Sequence, residues 1–290
     1  MQRNLAKGAQ FQFFFSELYE GCEIVVGDAL SVLKVLSPNI FRCCVTSPPY
    51  WGLRDYGIPL GNQIGAELSL NDYIKNLTEI FSEINRVLTP DGTLWLNIGD
   101  SYTSGNRTWR DADKKNPARK MVYRPPTPEG LKPKDLIGVP WRVALALQEA
   151  GWYLRSDIIW YKPNCQPESV KDRPTRSHEY VFLFSKSEKY FYNYEAIKET
   201  SNSHGNLRNR RSVWSINTEA FHGAHFATFP PKLVELCLLA GSEAGDIIID
   251  PFFGSGTVGE VCSRLDRKFI GIEIKEEYAD IAKKRLKWKG

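Results

Sequence analysis

Short β-branched runs alternate with amphipathic helical stretches along most of this chain, and that alternation constrains its fold more than any other feature. Strands are predicted at 23–27, 41–46, 93–98, 153–161, 179–184, 246–249 and 268–272. Helices are predicted at 29–36, 70–88, 140–149, 231–239, 256–264 and 276–286. The best defined is 70–88, where Leu70, Tyr73, Ile74, Leu77, Ile80, Phe81, Ile84, Val87 and Leu88 follow three-four spacing. Ser69 and Asn71 both qualify as its cap, and Pro90-Asp91-Gly92 is read as its stop. Strand and helix alternating at this spacing predict an α/β, doubly wound fold, a mostly parallel sheet with helices on both faces.

With 42% hydrophobic and 25% charged residues over 290 positions, the chain can bury a sizeable core. No apolar run is long enough to span a membrane. The Phe-rich start (Phe11, Phe13, Phe14, Phe15) is broken by Gln12, Ser16 and Glu17, unlike a signal-peptide core, so a cytoplasmic, intracellular protein is expected. Six scattered cysteines (Cys22, Cys43, Cys44, Cys165, Cys237, Cys262) show no metal-ligand spacing; reduced, mostly buried thiols and no metal are expected. The net charge of +4 is small, but its distribution is uneven. Residues 101–134 hold nine Lys/Arg, among them Arg107, Arg110, Lys114 and Lys115, against three acids, together with five prolines. A second knot comprises Arg208, Arg210 and Arg211. Each basic stretch carries a tryptophan, Trp109 or Trp214, which suits phosphate contact and base stacking; a solvated insertion explains the charge equally well.

Two motifs carry chemistry. Asp250-Pro-Phe-Phe-Gly-Ser-Gly-Thr257 runs from a buried strand through a glycine turn into a helix. Gly254 and Gly256 let backbone approach a ligand, and Glu273, at the end of the next strand, suits a ribose diol. With Gly259 the spacing also fits the dinucleotide fingerprint, so a nicotinamide cofactor stays open at this point. Thr46-Ser-Pro-Pro-Tyr-Trp51 ends the strand 41–46. Pro48 and Pro49 stiffen the backbone and remove two donors, leaving the Ser47 hydroxyl and Pro48 carbonyl as acceptors beside the Tyr50 ring. An exocyclic amino group on a planar base fits that environment.

On these residues the chain resembles the amino-methylating DNA methyltransferases that use S-adenosylmethionine. The 250–257 segment resembles their cofactor motif, and Thr46-Ser-Pro-Pro-Tyr50 their catalytic motif. Further matches are Gly27-Asp28-Ala-Leu30, Gly92-Thr-Leu-Trp-Leu-Asn-Ile-Gly-Asp100, 154–164, Arg176-Ser-His-Glu-Tyr180, and 224–232 with Phe229 and Lys232. Dehydrogenases lack the serine-diproline-tyrosine element, so the resemblance decides against a nicotinamide cofactor. The catalytic motif precedes the cofactor motif, the permuted order of the β group. That resemblance implies a seven-stranded sheet with one reversed strand. It also implies cofactor contacts from Asp28, Asp250, Pro251, Phe252, Gly254, Ser255, Gly256, Thr257, Glu273, Phe229 and Lys232. The expected organisation is a catalytic half at 1–100 and 136–199, a basic DNA-contacting loop at 101–135, a target-recognition insertion at 200–223 and a cofactor half at 224–290.

Ser47 in the catalytic motif implies the N4 amino group of cytosine as target, with N6 of adenine as the alternative. Carbon-5 chemistry is disfavoured because no Pro-Cys pair exists. The implied reaction is direct transfer to a base flipped out of double-stranded DNA, within restriction–modification, with a cognate endonuclease and a homodimer as further expected partners. Ser47 is too weak a base to retain the proton, which is expected to pass to water; Asp55 is read as a loop anchor or a proton acceptor. RNA or protein-glutamine methylation and a degenerate DNA-binding module are the more distant alternatives. His178 and His225 are expected to hydrogen-bond without titrating, His204 and His222 to be solvated, and Trp95, Trp141, Trp152 and Trp160 to be core.

Overall fold

The computed structural model describes residues 21–53, 63–103, 109, 124–201, 205–219 and 229–287. Its strands are β1 (Glu23–Val26), β2 (Phe41–Thr46), β3 (Leu88–Ile98), β4 (Tyr153–Tyr161), β5 (His178–Ser185), β6 (Glu199–Thr200), β7 (Leu207–Arg208), β8 (Val213–Ser215), β9 (Ile247–Asp250) and β10 (Lys268–Glu273). The helices are α1 (Ala29–Val35), α2 (Leu70–Val87), α3 (Val139–Glu149), α4 (Pro231–Gly241), α5 (Thr257–Arg264) and α6 (Glu276–Arg285). Eight strands form one sheet in the order β1-β10-β9-β2-β3-β5-β4-β8. Only β5 runs against its neighbours, so the sheet is mostly parallel with one reversed strand. The N-terminal strand β1 pairs with the C-terminal β10, which joins the two ends of the chain in one sheet.

The sheet has one strand more than expected. β8 lies in the polar insertion and pairs with β4, Trp160 opposite Trp214. Its burial alternates exposed, buried, exposed, so it has only one inward side chain to signal a strand. β6 and β7 form a separate hairpin.

Helices cover both faces. On one, α1, α2 and α3 bury Leu33, Leu77, Ile84 and Leu147 against β2 and β3. On the other, α4, α5 and α6 bury Leu238, Val261 and Ala282 with Trp95, Ile248 and Phe269. Central strands covered twice need apolar residues on both sides, as β2 shows with Phe41, Cys43, Cys44 and Val45 all buried. Ser69 caps α2 by accepting the Asp72 N–H at 3.0 Å. The helix ends at Leu88, which also opens β3; Pro90 and Gly92 lie inside that strand, opposite an irregularity in β2.

Trp95, Trp152 and Trp160 are buried as expected, whereas Trp141 is 38% exposed. Its ring sits edge-on to Tyr180 and Phe182, and the side of α3 that carries it remains partly in solvent. Cys43, Cys44, Cys237 and Cys262 are buried and unbridged. Burial pushes their thiols up, that of Cys43 to about 12, so none is a nucleophile at neutral pH. Among the described residues no helix is long and apolar enough to cross a membrane.

Candidate active site

The two motifs, about two hundred positions apart in sequence, leave adjacent strands on the same sheet edge. β2 pairs with β9 through Cys43–Ile248 and Cys44–Ile249. One step further, the Thr46 hydroxyl donates to Asp250 Oδ1 at 2.6 Å. Ser47 follows the first residue and the glycine turn follows the second. From β2 the chain returns through α2 on one face, and from β9 through α5 on the other. Connections diverging in this way open a crevice beyond the strand ends.

On the β9 side, Gly254 and Gly256 have φ of +53° and +81°, conformations that favour glycine. A Cβ on Gly256 would press to 2.9 Å on Ala282, so this glycine admits α6. A Cβ on Gly254 would meet nothing nearer than the Phe252 carbonyl at 3.9 Å, so that flank of the turn faces open space. Glu273 is buried and accepts the Gly254 N–H at 2.8 Å and the Lys275 N–H at 2.9 Å, one on each oxygen. Burial raises its pKa against those bonds. The carboxylate keeps acceptor capacity for a hydroxyl donor beyond these backbone bonds. Asp250 is also buried, and desolvation lifts its carboxyl to about 7 although Thr46 and the Phe252 N–H both donate to it.

The other cofactor candidates divide. Gly27 N–H donates to the Glu273 carbonyl, so Asp28 leaves the same edge; its carboxylate caps α1 by accepting the Ser31 N–H at 2.9 Å. Pro251 is buried and Phe252 packs against the α1–α3 core. Arg285 of α6 donates to Thr257 Oγ1 at 2.9 Å and Ser255 Oγ at 3.3 Å, tying the start of α5 to α6. Phe229 packs against the second core, and Lys232 is exposed and paired with Glu235.

On the β2 side, the diproline turn is held from several directions. Tyr73 donates to the Pro49 carbonyl at 3.0 Å, and Gly52 N–H to the Gly65 carbonyl at 2.9 Å. The Tyr50 ring lies so close to Gly99 that a Cβ there would come within 2.7 Å of it. Ser47 Oγ donates to the Tyr50 hydroxyl at 3.4 Å, which donates to Glu179 Oε2 at 2.8 Å. Asn97 donates to the same Glu179 oxygen at 3.2 Å, and Lys162 pairs with Oε1 at 2.5 Å. Burial and the Glu179 charge push the Tyr50 phenol well above its ordinary range, so it stays a hydroxyl.

Asn97, Gly99, Lys162 and Glu179 lie in segments that match the family in sequence, but none of them was expected to have a role in the site. Glu179 stood in a segment read only as a later strand; a charged residue opening an aromatic run was its one signal. His178, beside it, has its pKa lowered first by burial and then by Arg176.

Of the basic residues, Arg107, Arg110, Lys114 and Lys115 lie outside the described residues, as do Asp55, His204, His222 and His225. Arg208 is paired with Glu199 at 2.9 Å, and Arg210 donates to the Ile197 carbonyl at 2.8 Å with Glu199 at 3.9 Å. Arg211 is exposed and lines an open cleft together with Glu199, Thr200, Arg208 and Ser212. Among the described residues no His/Cys/Asp/Glu group could hold a metal ion.

A family model described as DNA methylase, for N6 and N4 methyltransferases, matches residues 41–284. The Type II methyltransferase M.SmaI of Serratia marcescens is 65% identical over 266 residues, covering 91% of this chain and 90% of its own. M.Cfr9I of Citrobacter freundii, also a Type II methyltransferase, is 64% identical, covering 92% and 88%. Among solved structures, the cytosine-N4-specific PvuII DNA methyltransferase superposes with a TM-score of 0.68 at 21% identity, over 93% of this chain and 87% of that one. TTHA0409 of Thermus thermophilus, complexed with S-adenosyl-L-methionine, gives 0.62 at 24% identity, over 91% and 93%. At these identities the two structures speak to the fold.

Proposed function

The chain belongs to the N6/N4 DNA methylase family and is a DNA methyltransferase, and we propose that it transfers the methyl group of S-adenosylmethionine to N4 of cytosine. The observation that carries this reading is the Thr46–Asp250 hydrogen bond, which sends Ser47 and the glycine turn off neighbouring strands into one crevice. The open flank of Gly254 and the buried Glu273 carboxylate, with acceptor capacity left, suit a ribosyl sulfonium cofactor. Asp28, Asp250, Pro251, Phe252 and Gly256 shape the same edge, with Ser255, Thr257, Phe229 and Lys232 further out. When bound, that cofactor supplies an electrophilic methyl group.

The residues of the β2 turn do the rest. Ser47 Oγ and the Pro48 carbonyl accept the two amino hydrogens of a flipped base, and Tyr50 stacks on its ring. Holding both hydrogens on fixed acceptors draws the nitrogen lone pair out of conjugation and stabilises the charge that grows there. The serine at 47 and the fold shared with a cytosine-N4-specific enzyme support cytosine. The partner is double-stranded DNA inside a bacterial cell, reached through Arg211 and the 101–135 loop, and the Type II names of the relatives support a restriction–modification role.

The test is to incubate the enzyme with DNA and methyl-labelled S-adenosylmethionine, digest to nucleosides and identify the labelled one. 4-Methylcytosine is expected; label in 6-methyladenine alone would overturn the cytosine reading.

A further inference from the structure

The hydroxyls behind the base pocket form a chain with a direction. Ser47 has one proton, given to Tyr50, and Tyr50 has one proton with two acceptors in reach. Glu179 Oε2 lies at 2.8 Å and Asn97 Oδ1 at 3.4 Å, so the nearer and charged oxygen wins. Lys162, whose ammonium also lies 4.1 Å from the Trp160 ring centre, pairs with Glu179 Oε1, and Asn97 donates to the oxygen that faces Tyr50. Every proton therefore points away from the pocket, and the lone pairs of Ser47 are left facing it.

We propose that Glu179 takes up the proton the target amino group sheds, passed through the hydroxyls of Ser47 and Tyr50. This rests on the methyl-transfer reading above. As the amino nitrogen bonds the methyl carbon, the carbon–sulfur bond breaks and its electron pair stays on sulfur. One N–H bond then breaks, leaving its electrons on nitrogen and its proton on Ser47 Oγ. The former Ser47 proton moves to Tyr50, and the former Tyr50 proton moves to Glu179 Oε2. Both hydroxyls are restored, and one carboxylate has been neutralised in place of one sulfonium. The 3.4 Å link from Ser47 to Tyr50 is long, as catalytic hydrogen bonds are before substrate closes the site. Glu179 touches neither the base nor the methyl donor and receives the proton only through Tyr50.

The test compares wild type, Glu179→Gln, Tyr50→Phe and the double variant. Single-turnover methyl transfer is measured in H₂O–D₂O mixtures, and cofactor and DNA affinities are measured without turnover. Each single variant is expected to slow transfer about 10²-fold, with the double variant no slower and both affinities within about twofold of wild type. The wild-type rate should depend on deuterium fraction in a curved manner, with several protons in flight, and the variants should not. Tyr50→Phe keeps the ring against Gly99 and decides the matter alone should Glu179→Gln not fold. Transfer within about threefold of wild type, additive losses, or losses confined to affinity would each overturn the proposal. The product nucleoside from the same reactions tests the cytosine reading separately.

Discussion

Asp250 is a carboxyl that folding strips of water while giving it two donors, and desolvation prevails, lifting it to about 7. A folded pKa above the unfolded one means the native state holds the proton more tightly between about 4 and that value. Stability from this residue is therefore greatest in acid and declines as pH rises through the window, by on the order of 1.4 kcal/mol for each step of one in pH. Asp250→Asn keeps an acceptor for Thr46 but does not titrate. Melting temperatures from pH 4 to 8 should show a shallower decline for the variant; parallel curves would refute the assignment. At Ser47, replacement by alanine should cost about 10²–10³ in single-turnover rate at unchanged cofactor affinity, the size seen when one preorganised polar group is lost. Ser47, Tyr50 and the glycines could be read from sequence because each motif is contiguous. Glu179, Asn97 and Lys162 could not, since separate segments of the chain bring them together across the β3, β5 and β4 strands.

At the scale of elements, α3 shows how a helix start can depend on a distant strand. Its cap position is Gly138, which has no side chain to offer. Asp100, just beyond β3, supplies the missing acceptor, taking the Gly138 and Val139 N–H groups at 3.0 Å each. Asp100→Ala is expected to lower unfolding free energy by about 1–2 kcal/mol in urea titrations, more than an exposed cap would, because Arg176 also loses a partner at 3.5 Å. A change of only a few tenths would contradict this role. Helix spans were legible to within a residue or two because their buried faces repeat over many turns. β8 was not, because three residues cannot display a period, and β3 begins earlier than expected because a Pro-Asp-Gly sequence reads locally as a turn yet here lies within a strand.

For the molecule as a whole, arginines that look alike in the 208–211 knot differ in their partners in space. Arg208 and Arg211 line the same cleft, but Glu199 pairs with Arg208 and Arg210, so the two cleft arginines are expected to differ toward DNA by that carboxylate. Arg211→Gln should reduce the slope of log affinity against log salt by about 0.9, the value for one phosphate contact. Arg208→Gln should change the slope less, and equal effects would argue against this partition. The motif order could be read directly and implied that the two motifs share one cleft; the β1–β10 and β2–β9 pairings that close the sheet supply its geometry. The central claim is that S-adenosylmethionine lies against the open flank of Gly254. Its most direct test is calorimetric titration of that cofactor into Gly254→Asp beside wild type, since aspartate tolerates the backbone conformation there. Affinity weakened by about tenfold or more is expected, as a carboxylate would intrude where the cofactor lies and repel Glu273. Undiminished affinity would put the cofactor elsewhere and contradict that claim.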